Sequence, residues 1–353
     1  MALNDLMAEA LRLTRAGDLT GATALLQGGH FASSPATAPA PASGTIDSLP
    51  LQATNWSGRA HSVPESASGT GSSEWRRHVG AAGSIDYLLY RPANVAPGMP
   101  LIIMLHGCTQ TPDNFALGTR MNEVADERGF IVAYPRQTAA ANPQKCWNWF
   151  KPGDQQRGRG EPALIAGLTQ DIIAAEWADS ARVYVAGLSA GGAAAAIMAD
   201  AYPDLFAAVG IHSGLACGAA RDLPSALTAM KRGSRSGAPH VRKGMRFVPV
   251  ITFHGDRDLT VAEVNARDIV AVAAAAASTA LTVEIVSGEA AGRRYTRALS
   301  RDASGAVLIE QWTVAGAAHA WSGGSADGSY ADPGGPDASR AMARFFLSHS
   351  ART

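Results

Sequence analysis

Cysteine is scarce, with only Cys108, Cys146 and Cys217 in 353 residues. That is too few for a disulfide framework, and the spacings lack the paired pattern of a zinc site, so at most one internal bridge can form and neither metal nor cofactor is expected. No run of about 18 apolar residues occurs, so no membrane-spanning helix is expected. Net charge is also missing: 30 basic side chains balance 30 acidic ones. No overall field draws the chain to nucleic acid or to an anionic membrane, and neither is expected as a partner. The opening stretch, "MALNDLMAEALRLTRAGDLTGATALLQ", carries Asp5 and Glu9 and lacks the continuous apolar core of a secretory signal. This points to the cytoplasm, with export by another route left open. What remains is 46% hydrophobic and 17% charged, a globular composition with chain enough for one α/β domain of about 250 residues.

The pattern changes twice along the chain. Leu3, Leu6, Met7, Leu11 and Leu13, then Leu19, Leu25 and Leu26 beyond Gly17, predict a helical extension over 1–28, either a docking hairpin or a loosely packed appendage. Residues 29–74, rich in Ala, Ser, Pro, Gly and Thr, read as a flexible linker. From 75 to 353 strands and helices alternate. "PLIIMLHG", "FIVAYP", "RVYVAG", "FAAVGIHSG" and "FVPVITFHG" are aliphatic runs of the kind buried on both faces of a sheet. Helical patterns separate them, at "NFALGTRMNEVADERG", at "EPALIAGLTQDIIAAEWA" with Pro162 in its first turn, and from about Val261 to Ala277. A hairpin turning at "DASG" and a helix at "PDASRAMARFFLSH" close the pattern. The fold class is α/β, with a mostly parallel, doubly wound sheet. The stretch at about 215–247 exceeds an ordinary connection and carries Arg221, Lys231, Arg232, Arg235, Arg242, Lys243 and Arg246 against Asp222 alone. It is either a lid above the sheet or a solvated helical insertion.

Chemistry concentrates at strand ends. In "RVYVAGLSAGGAAAAIMA" a buried strand passes through Gly187-Leu188-Ser189-Ala190-Gly191 into a helix. A serine there could cap the helix. Glycines on both sides fit better with a sharp turn that raises a nucleophile above the sheet edge. A serine hydroxyl needs an imidazole to take its proton and a carboxylate to orient that imidazole, in the chain order acid then histidine. "HGDRDLTV" supplies Asp256 and Asp258, and "VAGAAHAWSGG" supplies His319. Asp258 is preferred because it lies further out on its loop, with Asp256 as the alternative. Among nine histidines, His106, His212 and His254 also end strands but precede either acid. An oxyanion needs two backbone donors, expected at Ala190 and, from "MLHGCTQ", at Cys108 with Thr109 as its neighbour. Trp147 and Trp149 of "QKCWNWF", and Trp321 beside His319, either line a substrate cleft or pack internally. A Cys108–Cys146 bridge would tie the tryptophan loop to the oxyanion loop in an oxidising compartment.

With these residues in place, the chain resembles the polyhydroxybutyrate depolymerase family of serine esterases, relatives of the feruloyl and acetyl xylan esterases. The resemblance rests on "LHGCTQTPDNFALGTRMNEVADERGFIVAYP", "CWNWF", "RGRGEPALIAGL", "VYVAGLSAGGAAAAIMADAYPDLFAAVGIHSG", "HGDRDLTV" and "HAWSGG", from about residue 80 to 347. It implies an α/β-hydrolase fold, a triad of Ser189, Asp258 and His319, a backbone oxyanion hole, and hydrolysis of short-chain hydroxyalkanoate esters without a cofactor. A polyester or a small ester is the expected partner, poly(3-hydroxybutyrate) or its oligomers first and a feruloyl or acetyl xylan ester second. A non-catalytic binding protein on a hydrolase scaffold is the remote alternative.

Overall fold

The computed structural model describes residues 71–234 and 246–351. The extension expected at 1–28, nearly all of the linker expected at 29–74, and Arg235, Arg242 and Lys243 of the basic stretch lie outside the described residues.

The aliphatic runs form the centre of one ten-stranded sheet. In chain order its strands are β1 (Ser72–Gly80), β2 (Gly83–Arg91), β3 (Leu101–Leu105), β4 (Ile131–Pro135), β5 (Val183–Leu188), β6 (Ala208–His212), β7 (Val250–Gly255), β8 (Thr282–Ala290), β9 (Arg293–Arg301) and β10 (Val307–Val314). In space they run β1-β2-β4-β3-β5-β6-β7-β10-β9-β8. The stretch from β4 to β10 is parallel, and antiparallel hairpins extend both edges. Strands β3 to β7 are buried along their whole length. Continuous aliphatic sequence suits that position, because helices cover both faces of a parallel sheet.

The helices are α1 (Pro112–Thr119), α2 (Met121–Arg128), α3 (Gly160–Glu176), α4 (Ala190–Ala201), α5 (Leu223–Arg232), α6 (Val264–Ala276) and α7 (Ala338–Leu347). Ile102, Met104, Val132, Tyr134, Ile251 and Phe253 share a core with Phe115, Met121, Val124, Met342 and Phe346 of α1, α2 and α7. Val209, Ile211 and Val250 point the other way, into a cavity of about 140 Å³ that they line with Ala196 of α4 and Ile269 of α6. The single helix expected at "NFALGTRMNEVADERG" is two. Arg120 turns left-handed (φ 56°) and closes α1 with its N–H on the Ala116 carbonyl, and α2 starts afresh from it. Of the basic stretch, α5 is capped by Asp222 and Ser225, and it docks where Ala262 N–H donates to the Met230 carbonyl at 2.7 Å. Its Lys231 ammonium reaches the Leu259 carbonyl. The described part of this stretch is thus anchored to the loop that follows β7.

Candidate active site

Ser189 directly follows β5 and stands at the N-cap of α4 with φ 58° and ψ −119°, and its side chain makes no capping hydrogen bond. A bulky backbone conformation of this kind persists only where the surroundings enforce it. Here they do: a Cβ at Gly187 would sit 2.3 Å from the Gly191 backbone, and one at Gly191 2.0 Å from the Leu105 carbonyl oxygen. Strands β3 and β5 are packed against the turn, and only glycine fits on either side of the serine. Ser189 N–H donates to the His212 carbonyl at 2.9 Å, which ties the turn to the end of β6.

Asp258 and His319 meet one loop away. Asp258 is buried beyond the end of β7, where its Oδ1 accepts the Thr260 and Val261 N–H groups at 2.9 and 2.8 Å. His319, on the loop after β10, directs Nδ1 at Asp258 Oδ2 across 2.7 Å. Burial raises the Asp258 pKa, but the hydrogen bond and charge of His319, with His254 behind them, hold it below the ordinary carboxylate value. His254 lies 3.5 Å from the same Oδ2 and places its Nε2 on the Val261 carbonyl at 2.8 Å. Asp256 points elsewhere: its Oδ1 accepts Gly316 N–H at 2.7 Å and so pins the approach to His319.

His212 joins the nucleophile turn to the histidine loop. Its carbonyl holds Ser189 N–H, and its Nε2 accepts Ser322 N–H at 3.0 Å. Burial, with help from His254 and His319, drives its pKa down to about 3. The neutral ring therefore keeps an acceptor nitrogen for Ser322.

Across the turn lies the loop after β3. Gly107 N–H is taken by Gln110 Oε1 at 2.8 Å, and Thr109 N–H by the Gln144 carbonyl at 2.7 Å. Cys108 N–H has no such acceptor among the described residues, and Ala190 N–H belongs to the unsatisfied first turn of α4. Ala190 N–H directly follows Ser189, and Cys108 N–H lies on a loop packed against it, where a Cβ at Gly107 would sit 3.7 Å from the Ser189 Cβ. His106 supports this loop, with Nδ1 donating to the Gly107 carbonyl at 2.8 Å and Nε2 accepting Gln137 N–H at 3.1 Å. Cys108 and Cys146 form a disulfide that ties the loop to the tryptophan segment.

For the tryptophans the sequence leaves cleft lining and internal packing open. Trp147 and Trp321 are fully buried and Trp149 nearly so, which places all three among packed side chains. Trp147 donates to the His106 carbonyl at 3.1 Å, while Trp321 stacks on His212 at 5.0 Å and donates to Ser339 Oγ at 3.1 Å. The indole N–H groups of Trp147 and Trp321 find partners inside, so burying them costs little. The aromatic that meets His319 is Tyr330, half-exposed and edge-on to the imidazole at 6.4 Å. Sequence reasoning passed over it; the available signal was a lone aromatic in the Gly/Ser-rich stretch "SADGSYAD" beyond the histidine.

The chain is similar to known esterases. A family model described as "Esterase PHB depolymerase" matches residues 85–286. Poly(3-hydroxyalkanoate) depolymerase C of Paucimonas lemoignei is 30% identical over 263 residues, 71% of this chain and 60% of that protein. Feruloyl esterase B of Neurospora crassa is 38% identical over 128 residues, 36% of this chain and 43% of that one. The chain thus spans about 60% or less of the length of these relatives. Among solved structures, an acetyl xylan esterase from Aspergillus awamori superposes with a TM-score of 0.60 at 21% identity, covering 70% of this chain and 94% of that one. The architecture is the α/β-hydrolase fold.

Proposed function

We propose, from the premise that the chain belongs to the PHB-depolymerase family of esterases, that it hydrolyses carboxylic esters with Ser189 as nucleophile. The observation that carries this reading is the 2.7 Å contact of His319 Nδ1 with buried Asp258, at the same sheet edge as the strained Ser189 turn. In this mechanism His319 Nε2 takes the Ser189 proton as Oγ attacks the ester carbonyl, and Asp258 stabilises the imidazolium. The oxyanion rests on the N–H groups of Cys108 and Ala190, each worth about 3 kcal/mol to the transition state. His319 then returns the proton to the departing alcohol, and water repeats the sequence on the acyl-enzyme.

Poly(3-hydroxybutyrate) or its soluble oligomers is the leading substrate, supported by the family and by the depolymerase that aligns over the greatest length of the chain among the relatives compared. A feruloyl ester is the second reading, supported by the 38% identity to feruloyl esterase B. One panel tests both: hydroxybutyrate oligomers, amorphous polymer, feruloyl esters and acetylated xylan, each with product analysis. Ser189→Ala should lower kcat by about 10⁴ or more in a protein that remains folded. A phosphonate ester should form a stoichiometric adduct on Ser189, whereas absence of the adduct with unchanged turnover in Ser189→Ala would end the serine mechanism.

A further inference from the structure

The geometry points to Tyr330 as a wall of the leaving-alcohol subsite, one that selects esters whose alcohol carries an aliphatic chain. This rests on the ester-hydrolase reading above.

Tyr330 is 47% exposed, yet it is not free. Its backbone is left-handed, with φ 51°, a costly state for a bulky residue unless the surroundings enforce it. The Tyr330 carbonyl accepts Trp321 N–H at 2.7 Å. Just before it, the Ser329 carbonyl accepts Gln110 Nε2 at 2.7 Å, and Asn114 Oδ1 accepts both the N–H and the hydroxyl of Ser329. Gly328 is pressed onto Gly118, where a Cβ would lie 2.3 Å from Cα. The other end of the Gln110 amide holds Gly107 N–H at 2.8 Å. One side chain thus couples the oxyanion loop to the segment carrying Tyr330. The backbone that carries the ring is thus held to both the His319 loop and the loop after β3.

Its place defines what it touches. His319 Nδ1 is committed to Asp258, so Nε2 exchanges the proton, and the departing oxygen must lie within hydrogen-bond reach of it. The Tyr330 ring lies 6.4 Å from the His319 ring centre at a steep angle to it, close enough to the imidazole to meet carbons attached to that oxygen. The apolar face of a phenol ring at that point favours an alkyl chain over bare water. An ester inside an aliphatic polyester presents such an alcohol, and an ester of methanol does not.

The test uses the full chain and two esters sharing one acyl group, methyl butyrate and hexyl butyrate. Tyr330→Asn keeps a residue that tolerates the left-handed backbone, and Tyr330→Gly replaces it should the first variant fail to fold. We expect loss of the ring to lower kcat/KM about tenfold on hexyl butyrate and less than about threefold on methyl butyrate, with Tyr330→Phe retaining the wild-type ratio. An equal fall on both esters would make Tyr330 a support for His319, and no fall on either would make it irrelevant; both overturn the subsite. Wild-type protein that cleaves neither of these esters nor any member of the panel above overturns the ester-hydrolase reading itself, whereas one that cleaves the panel but not hexyl butyrate overturns the subsite alone.

Discussion

Two carboxylates stand two positions apart on one loop, and only their surroundings separate them. Asp258 is buried, takes two backbone N–H groups on Oδ1 and presents Oδ2 to His319. Asp256 is exposed and holds Gly316 N–H. Asp258→Asn should therefore lower kcat by about 10⁴, since an amide cannot hold the imidazole in its working tautomer. Asp256→Asn should change kcat less than about threefold, because an amide oxygen still accepts the Gly316 N–H. Steady-state kinetics on a simple ester decides, and the reverse ranking would move the acid to Asp256. The sequence placed both residues on the right loop, but not which of them turns inward. The same holds for Ser189: flanking glycines identified the turn, and only the fold shows the missing cap bond that leaves the hydroxyl available.

At the scale of elements, the loop after β3, proposed to hold the oxyanion, is shaped largely by residues outside it. The Cys108–Cys146 bridge joins it to the segment from Gln137 to Trp149 across a sequence separation of 38. That segment is held by Glu161 in the first turn of α3, whose carboxylate accepts Gln137 Nε2, Asn148 Nδ2 and Asn148 N–H at 2.5, 2.6 and 2.7 Å. Closing a loop of this length removes chain entropy from the unfolded state worth about 4 kcal/mol. The double variant Cys108→Ser/Cys146→Ser should lose stability up to that amount in denaturant titration, and its kcat should fall as the Cys108 N–H becomes less well placed. A variant as stable as the parent, or free thiols at both positions in protein purified without reductant, would remove the bridge from this account. The tryptophan spacing in "CWNWF" suggested a cleft lining as readily as packing. Trp147 is buried at little cost because the His106 carbonyl accepts its indole N–H.

Across the whole molecule, the strand ends that build the site also carry buried histidines, and these set its response to acid. Burial, before any other cause, pushes the His106 pKa down to about 4 and that of His212 down to about 3. On unfolding both return to an ordinary 6.5, so between about pH 6.5 and 4 the unfolded chain binds more protons and stability falls as pH falls, by about 1.4 kcal/mol per pH unit for each ring. Asp258, depressed in the folded state, adds to the loss as pH falls further. Glu161 works the other way. Burial lifts its pKa to about 7, so its contribution is complete below about pH 4.5 and fades as pH rises through 7. The histidines outweigh it, and the thermal midpoint should drop steadily from pH 6.5 to 4. A midpoint that held or rose over that range would contradict neutral, buried rings at both positions.

What the sequence determined by itself was local and ordinal. Aliphatic runs named the buried strands, glycines marked the turn at Ser189, and the order serine, acid, histidine left His319 as the matching base. Each is carried by neighbours along the chain. Only the tertiary structure decided that Asp258 faces His319, that Cys108 N–H alone of three successive donors lacks an acceptor among the described residues, that three tryptophans lie inside, and that Tyr330 meets the imidazole at a steep angle. These depend on which loops meet at the carboxyl edge of the sheet. Residues as distant as Gln110 and Ser329, or Gln137 and Glu161, become partners only once the strands are ordered in space.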